Sequence, residues 1–138
     1  MAALREVVEA YFAAWNAPDP TTRRLLLERS FADEGVLTTP RAGRVSGRQA
    51  LLEHIGGLAQ RFAGARVIPT SGIDEHHGVL RYSWRIVTAD GSPLVDGTDF
   101  GELASDGRLL RIAEFDDRPP GTAWRRTGHA LGRLAKVV

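Results

Sequence analysis

The sequence predicts an α+β domain, on three observations. Apolar residues recur at helical spacing through its first half. They alternate with a period of two through its second half. Asp-Gly and other short turn signals separate the alternating runs, so neighbouring strands run antiparallel. Helices followed by strands, rather than interleaved with them, define the class.

The first element is a helix, because Leu4, Val7, Val8, Tyr11, Phe12 and Trp15 form one apolar stripe. Asn16-Ala17-Pro18-Asp19-Pro20 ends it, since proline cannot extend the hydrogen-bond ladder. A second helix is expected from about Thr21 to Phe31, with Leu25, Leu26 and Leu27 on its core side. Val36 to Thr39 reads as a short strand stopped by Pro40. Ser46 reads as the N-cap of a third helix carrying Leu51, Ile55, Leu58 and Phe62. Gly56-Gly57 within that helix marks a bend or a close contact. Ala65–Ile73, Gly78–Thr88, Leu94–Leu103 and Arg108–Phe115 read as four strands, with Asp74–His77, Asp90-Gly91 and Asp106-Gly107 as their turns. Pro119-Pro120-Gly121 separates residues 1–117 from a tail, 118–138, with a weakly amphipathic pattern.

With 138 residues, 43% apolar and 25% charged, the chain suits one domain with one core. It has no cysteine, which removes disulfides, thiolate metal sites and cysteine nucleophiles. No run has the length of a membrane span. Charged residues in the first helix argue against a signal peptide, so a cytoplasmic location is expected. The net charge of +1 is uneven: the tail holds five basic residues and no acid, leaving residues 1–117 at net −4. Such a tail could touch nucleic acid, but a solvated terminal helix accounts for it as well, and no nucleic-acid partner is expected.

Val7 to Asp19 resembles the opening helix of ketosteroid isomerases and SnoaL-like proteins, within the nuclear-transport-factor-2-like superfamily. Phe31-Ala32-Asp33-Glu34-Gly35-Val36, Pro40 and Gly47-Arg48-Gln49-Ala50-Leu51 resemble the next block. Gly97-Thr98-Asp99-Phe100, Asp106-Gly107-Arg108 and Phe115 resemble the last hairpin, so the similarity spans about residues 3–117. The resemblance implies a conical roll: three N-terminal helices on a curved, mainly antiparallel sheet enclosing a pocket, and often a homodimer through the outer sheet face. It does not imply one activity, since the superfamily holds isomerases, cyclases, dehydratases and non-enzymatic binders.

Asp99 matches the oxyanion-hole aspartate of ketosteroid isomerases, and Tyr11 their oxyanion-hole tyrosine. A carboxyl on an inner strand face tends to stay neutral, and a neutral carboxyl can donate a hydrogen bond to a developing oxyanion. Asp99 could equally face outward, or pair with Arg81 or Arg85, and Tyr11 could be a core aromatic. Where those isomerases carry a general-base aspartate before the proline, this chain has Thr39, which cannot take a proton unaided. Glu114 stands where SnoaL-like cyclases carry an acid/base aspartate, although a salt bridge to Arg111 or Arg85 would also explain it. His54 could serve as a base near neutrality, or pack as a core histidine. His76-His77 lies in a connection and makes a poor metal pair, because adjacent extended residues point apart. Trp15, Thr39, Phe62, Tyr82 and Trp84 are candidates to contact substrate, with Tyr82, Trp84 and Ile86 sharing one strand face. No phosphate loop, nucleophile elbow or dinucleotide fingerprint is present, so neither a cofactor nor a metal is expected.

Together these readings point to a cofactor-independent isomerase, cyclase or dehydratase for a small hydrophobic carbonyl compound, steroid- or polyketide-like, acting through an enol or enolate. Asp99 and Tyr11 would hold the oxyanion, and Glu114 or His54 would move the proton. The alternative is a non-catalytic binder or dimeric scaffold of the same fold.

Overall fold

The computed structural model describes residues 3–118. Three helices, α1 (Leu4–Asn16), α2 (Pro20–Ser30) and α3 (Arg48–Arg61), pack on one face of a curved sheet. The strands are β1 (Phe31–Thr39), β2 (Gly43–Ser46), β3 (Arg66–Pro69), β4 (Asp74–His76), β5 (Val79–Val87), β6 (Pro93–Leu103) and β7 (Leu109–Asp116). Their order is β2-β1-β7-β6-β5-β3, and β4 also pairs with β5. All pairings are antiparallel except β1 with β7. The long return through β2, α3 and the strands β3 to β6 is what lets those two strands lie parallel.

The apolar stripe of α1 buries Val7, Val8, Tyr11 and Ala14 against Leu27, Phe31, Leu37, Leu51, Ile55, Leu109 and Ile112. Asn16 then pins the end of α1 to β3. Its Nδ2 donates to the Val67 carbonyl at 2.9 Å, and its Oδ1 accepts from the Val67 amide at 2.8 Å. The side chain thereby takes the place of a neighbouring strand. Asn16→Ala should lower the unfolding free energy by about 1–3 kcal/mol, for two lost hydrogen bonds in a half-buried place. Urea denaturation checks this, and an unchanged midpoint would remove Asn16 from the frame.

Four sequence readings change. Asp19 is a start as well as a stop: its Oδ1 accepts from the Thr22 amide at 2.8 Å, and Pro20 occupies the first turn of α2. Ser46 does not cap α3; it ends β2, and Gly47, at φ 92°, turns the chain into the helix. β1 begins at Phe31, and β2 was not foreseen, because its GRVS sequence has too few residues to show a period. Asp74–His76 forms β4 rather than a turn, and the reversal falls at His77 (φ 52°) and Gly78 (φ 81°). That positive φ brings the two histidine rings together, with Nδ1 atoms 3.3 Å apart, where an extended chain would separate them. The tail reading of 118–138 lies outside the described residues beyond Arg118.

Candidate functional site

The antiparallel register of β5, β6 and β7 sets Tyr82 opposite Asp99 and Asp99 opposite Glu114, so three polar side chains form one row across the inner sheet face. Gly97 faces Trp84 in the same register. A Cβ on Gly97 would lie 2.2 Å from the indole, so this glycine gives Trp84 room to lie flat over β6. From there the Trp84 Nε1–H donates to Asp99 Oδ1 at 2.9 Å, while the Tyr82 hydroxyl donates to Oδ2 at 2.9 Å. Asp99 is only 4% exposed. Its suggested partners pair elsewhere, Arg81 with Asp74 and Arg85 with Asp96.

Helix α1 closes this row from above. Tyr11, Phe12 and Trp15, with Val67, Trp84, Ile86, Asp99 and Glu114, wall a cavity of about 30 Å³. That is room for one or two waters, where each needs ~10–15 Å³. Ligand pockets commonly run to roughly 300–1,000 Å³, so a polycyclic steroid or polyketide does not fit as the wall stands. A larger hollow of about 570 Å³ lies elsewhere, on sheet residues including Arg44, Arg81, Glu102 and Arg111, and contains neither Asp99 nor Glu114. The acid–base chemistry therefore belongs to the smaller space.

Burial raises both carboxyls. Asp99 stands at about 6: loss of water raises it from 3.8, against the two hydrogen bonds, from Trp84 and Tyr82, that favour its charge. Glu114 is raised from 4.5 to about 7 by burial first and by the Asp99 charge second, with Arg41 opposing. Among the described residues, the cation that pairs with Glu114 is Arg41, its Nη2 3.9 Å from Oε2. Two facing carboxyls with values so close titrate as a pair, and near neutrality the pair holds about one proton. A donor on each oxygen favours the charge on Asp99, and Glu114 has the higher value of the two. An indole N–H can only donate, so Oδ1 of Asp99 accepts, and a proton on this carboxyl would sit on Oδ2. Tyr11 is fully within the wall, and burial followed by the Asp99 charge holds its phenol well above the ordinary value, in the protonated form.

The structure thus brings together Tyr11, Trp15, Trp84, Asp99 and Glu114, with Tyr82 behind them, its ring edge-on to Phe12. It leaves three candidates outside the wall. Phe62 caps the C-terminus of α3 with half its surface exposed, because the helix ends one residue before the stripe would turn it inward. The Thr39 hydroxyl accepts from the Ala42 amide at 2.8 Å and is taken up in closing the β1–β2 turn. His54 meets the edge of Trp15, 6.0 Å between ring centres, but does not line the cavity. Burial, and Arg61 after it, lowers its pKa, which favours the neutral ring. Sequence reasoning missed Phe12, Val67 and Ile86 as wall residues, and missed Arg41. Phe12 and Ile86 were legible as members of predicted apolar faces. Arg41 had no signal, since it comes from a turn to contact β7.

Three helices against a mixed, mostly antiparallel curved sheet, with the polar row on its inner face, define the nuclear-transport-factor-2-like fold class. Within it, the chain belongs to the SnoaL-like domain family, whose model matches residues 8–112. Among solved structures it is similar to a SnoaL-like family protein of Agrobacterium tumefaciens, described provisionally as an isomerase. The two are 30% identical, with 81% of this chain and 95% of that one covered, at a TM-score of 0.75. A nuclear-transport-factor-2-like protein of unknown function from Exiguobacterium is 22% identical, over 82% of this chain and 99% of that one, at 0.67. A protein of ketosteroid-isomerase-like fold from Catenulispora acidiphila, in complex with trimethylamine, is 14% identical, over 79% and 83%, at 0.64. No curated protein matches the chain. No helix among the described residues is long and apolar enough to cross a membrane.

Proposed function

We propose that the chain is a cofactor-independent acid–base enzyme that moves a proton between carbon and oxygen on a small carbonyl compound. The observation that carries this is the facing pair Asp99 and Glu114, sharing about one proton beside a buried phenol. The Asp99 carboxylate takes the proton from the carbon next to the carbonyl. The Glu114 hydroxyl and the Tyr11 phenol donate hydrogen bonds to the oxygen as it gains charge, each worth roughly 3 kcal/mol in a dry site. Return of the proton to carbon closes an isomerisation or an exchange. As it stands the cavity of about 30 Å³ holds a water or two, so even a ketone as small as acetone enters only if the wall moves, and a steroid needs far more.

The test is deuterium uptake next to the carbonyl of acetone and butanone in heavy water, followed by NMR. Exchange should exceed that in buffer. It should fall below about pH 6, as Asp99 takes a proton, and above about pH 7, as Glu114 loses one. Exchange no faster than in buffer at every pH would favour the non-catalytic alternative.

One observation favours a second reading, a binder of small organic ammonium ions. Among the described residues the wall holds four aromatic side chains, two carboxyls and no basic side chain, a lining that suits a cation. The Catenulispora protein of similar fold holds trimethylamine. Saturable binding of tetramethylammonium without ketone exchange would select this reading. In either case a homodimer through the outer sheet face is supported by Phe100 and Phe115, half exposed there and edge-on to one another at 5.6 Å.

A further inference from the structure

Arg41 stands on the turn between β1 and β2, away from every element that walls the cavity. That turn is closed by the Thr39 hydroxyl, so the position of Arg41 is set locally. Its guanidinium reaches across to β7 and grips Asp116 with two hydrogen bonds, Nη1 to Oδ2 at 2.9 Å and Nη2 to Oδ1 at 3.2 Å. The same Nη2 stands 3.9 Å from Glu114 Oε2, too far for a hydrogen bond and near enough to act through charge. Asp116 and Glu114 are two residues apart on one strand and so share its face, with Arg41 between their carboxyls. A fork–fork grip of this kind fixes the guanidinium better than one contact would.

We propose that Arg41 and Asp116 form a rim pair that positions one charge beside Glu114 and so sets the pH at which the acid–base pair works. The proposal deepens the acid–base reading of the cavity and rests on it for its functional meaning. The remaining groups facing Glu114 are Asp99 from β6, Tyr82 from β5 and Tyr11 from α1. The two tyrosines stay neutral, and Asp99 raises Glu114, so Arg41 is the only opposing charge among the described residues that acts on it. Arg41 is half exposed, which screens its effect, while the 15% exposure of the Glu114 side chain preserves part of it. The two rim residues must therefore act with opposite signs. Arg41 lowers Glu114 and Asp116 raises it. Neither is a catalytic residue, since neither touches the cavity; both are positioning residues.

The test is carboxyl-carbon NMR titration of Glu114 in the full chain, with Arg41→Gln, Arg41→Lys and Asp116→Asn. Arg41→Gln should raise the Glu114 midpoint by about half to one pH unit, given an opposite charge lost at the edge of effective range. Asp116→Asn should lower it, by removing a like charge and freeing Arg41 to approach. Arg41→Lys keeps the charge but not the fork, and should shift the midpoint less than Arg41→Gln does. Shifts of the same sign in Arg41→Gln and Asp116→Asn, or none in either, would overturn the proposal. Should one variant fail to fold, the sign of the other still decides. These readings need no substrate. Absent ketone exchange with opposite shifts would sink the enzyme and keep the rim pair; exchange without the shifts would do the reverse.

Discussion

Replacing Glu114 by glutamine is expected to bring ketone exchange down by at least 100-fold, to or near the level of buffer, at every pH. Glutamine keeps the length of the side chain and its place opposite Asp99. Its amide has no acidic proton to share with the oxygen as charge develops there, and losing one such donor costs roughly 10²–10³ in rate. Two further consequences separate this from a general loss of structure. The variant should fold, because a neutral amide replaces a side chain that burial already favours in its neutral form. The descending limb near pH 7 should vanish from any residual activity, because that limb belongs to Glu114. Retention of more than a tenth of the wild-type exchange would remove Glu114 from the reaction. Measurement is by the same deuterium uptake, with circular dichroism to establish folding.

The second large effect is on stability. Asp99→Asn should make the protein more stable at pH 8 while abolishing exchange. The carboxyl of Asp99 is raised by burial to about 6 from 3.8. A raised acid binds its proton more tightly in the folded state. Its contribution to stability is whole below the unfolded value and is lost as pH rises through the folded one. Across the window from pH 4 to 6 the wild type therefore gives up stability at this residue, and Glu114 does the same between pH 4.5 and 7. A shift of about two units corresponds to something on the order of 3 kcal/mol, and less where the two carboxyls are coupled. Asparagine keeps an acceptor for the Trp84 indole and offers a donor to the Tyr82 hydroxyl oxygen, so both contacts have a replacement. The variant should match the wild type near pH 4 and exceed it at pH 8. Urea denaturation at the two pH values checks this. A variant less stable at pH 8 than the wild type would mean that Asp99 is held by its charge rather than against it.

That trade of stability for a charged interior explains why part of the site was legible in the sequence. A carboxyl in the middle of a strand whose neighbours on the same face are Gly97, Gly101 and Leu103 is conspicuous, and so is a helix stripe that includes a tyrosine. Periodicity gave α1, α3 and the strands of the main meander, because each spans enough residues to repeat. It failed at β2 and β4, which have four and three residues, where pairing to a long neighbour rather than local pattern makes the strand. The protonation roles were beyond the sequence for a related reason. Which carboxyl keeps the proton depends on Trp84 and Tyr82, which reach Asp99 from another strand, and on a register that gives Glu114 no donor among the described residues. The size of the cavity was also illegible, since the same aromatic residues can line a large pocket or fill it. Phe62 shows the limit of a stripe argument at a helix end, where one residue decides between core and solvent.

The shared proton itself can be observed directly. Carboxyl-carbon NMR of the wild-type protein, titrated from pH 3 to pH 9, should show Asp99 and Glu114 with apparent midpoints of about 6 and about 7, each feeling the other's transition. Midpoints for both at ordinary values of 3.8 and 4.5 would mean two solvated, independent carboxylates, and the acid–base site would be lost with them.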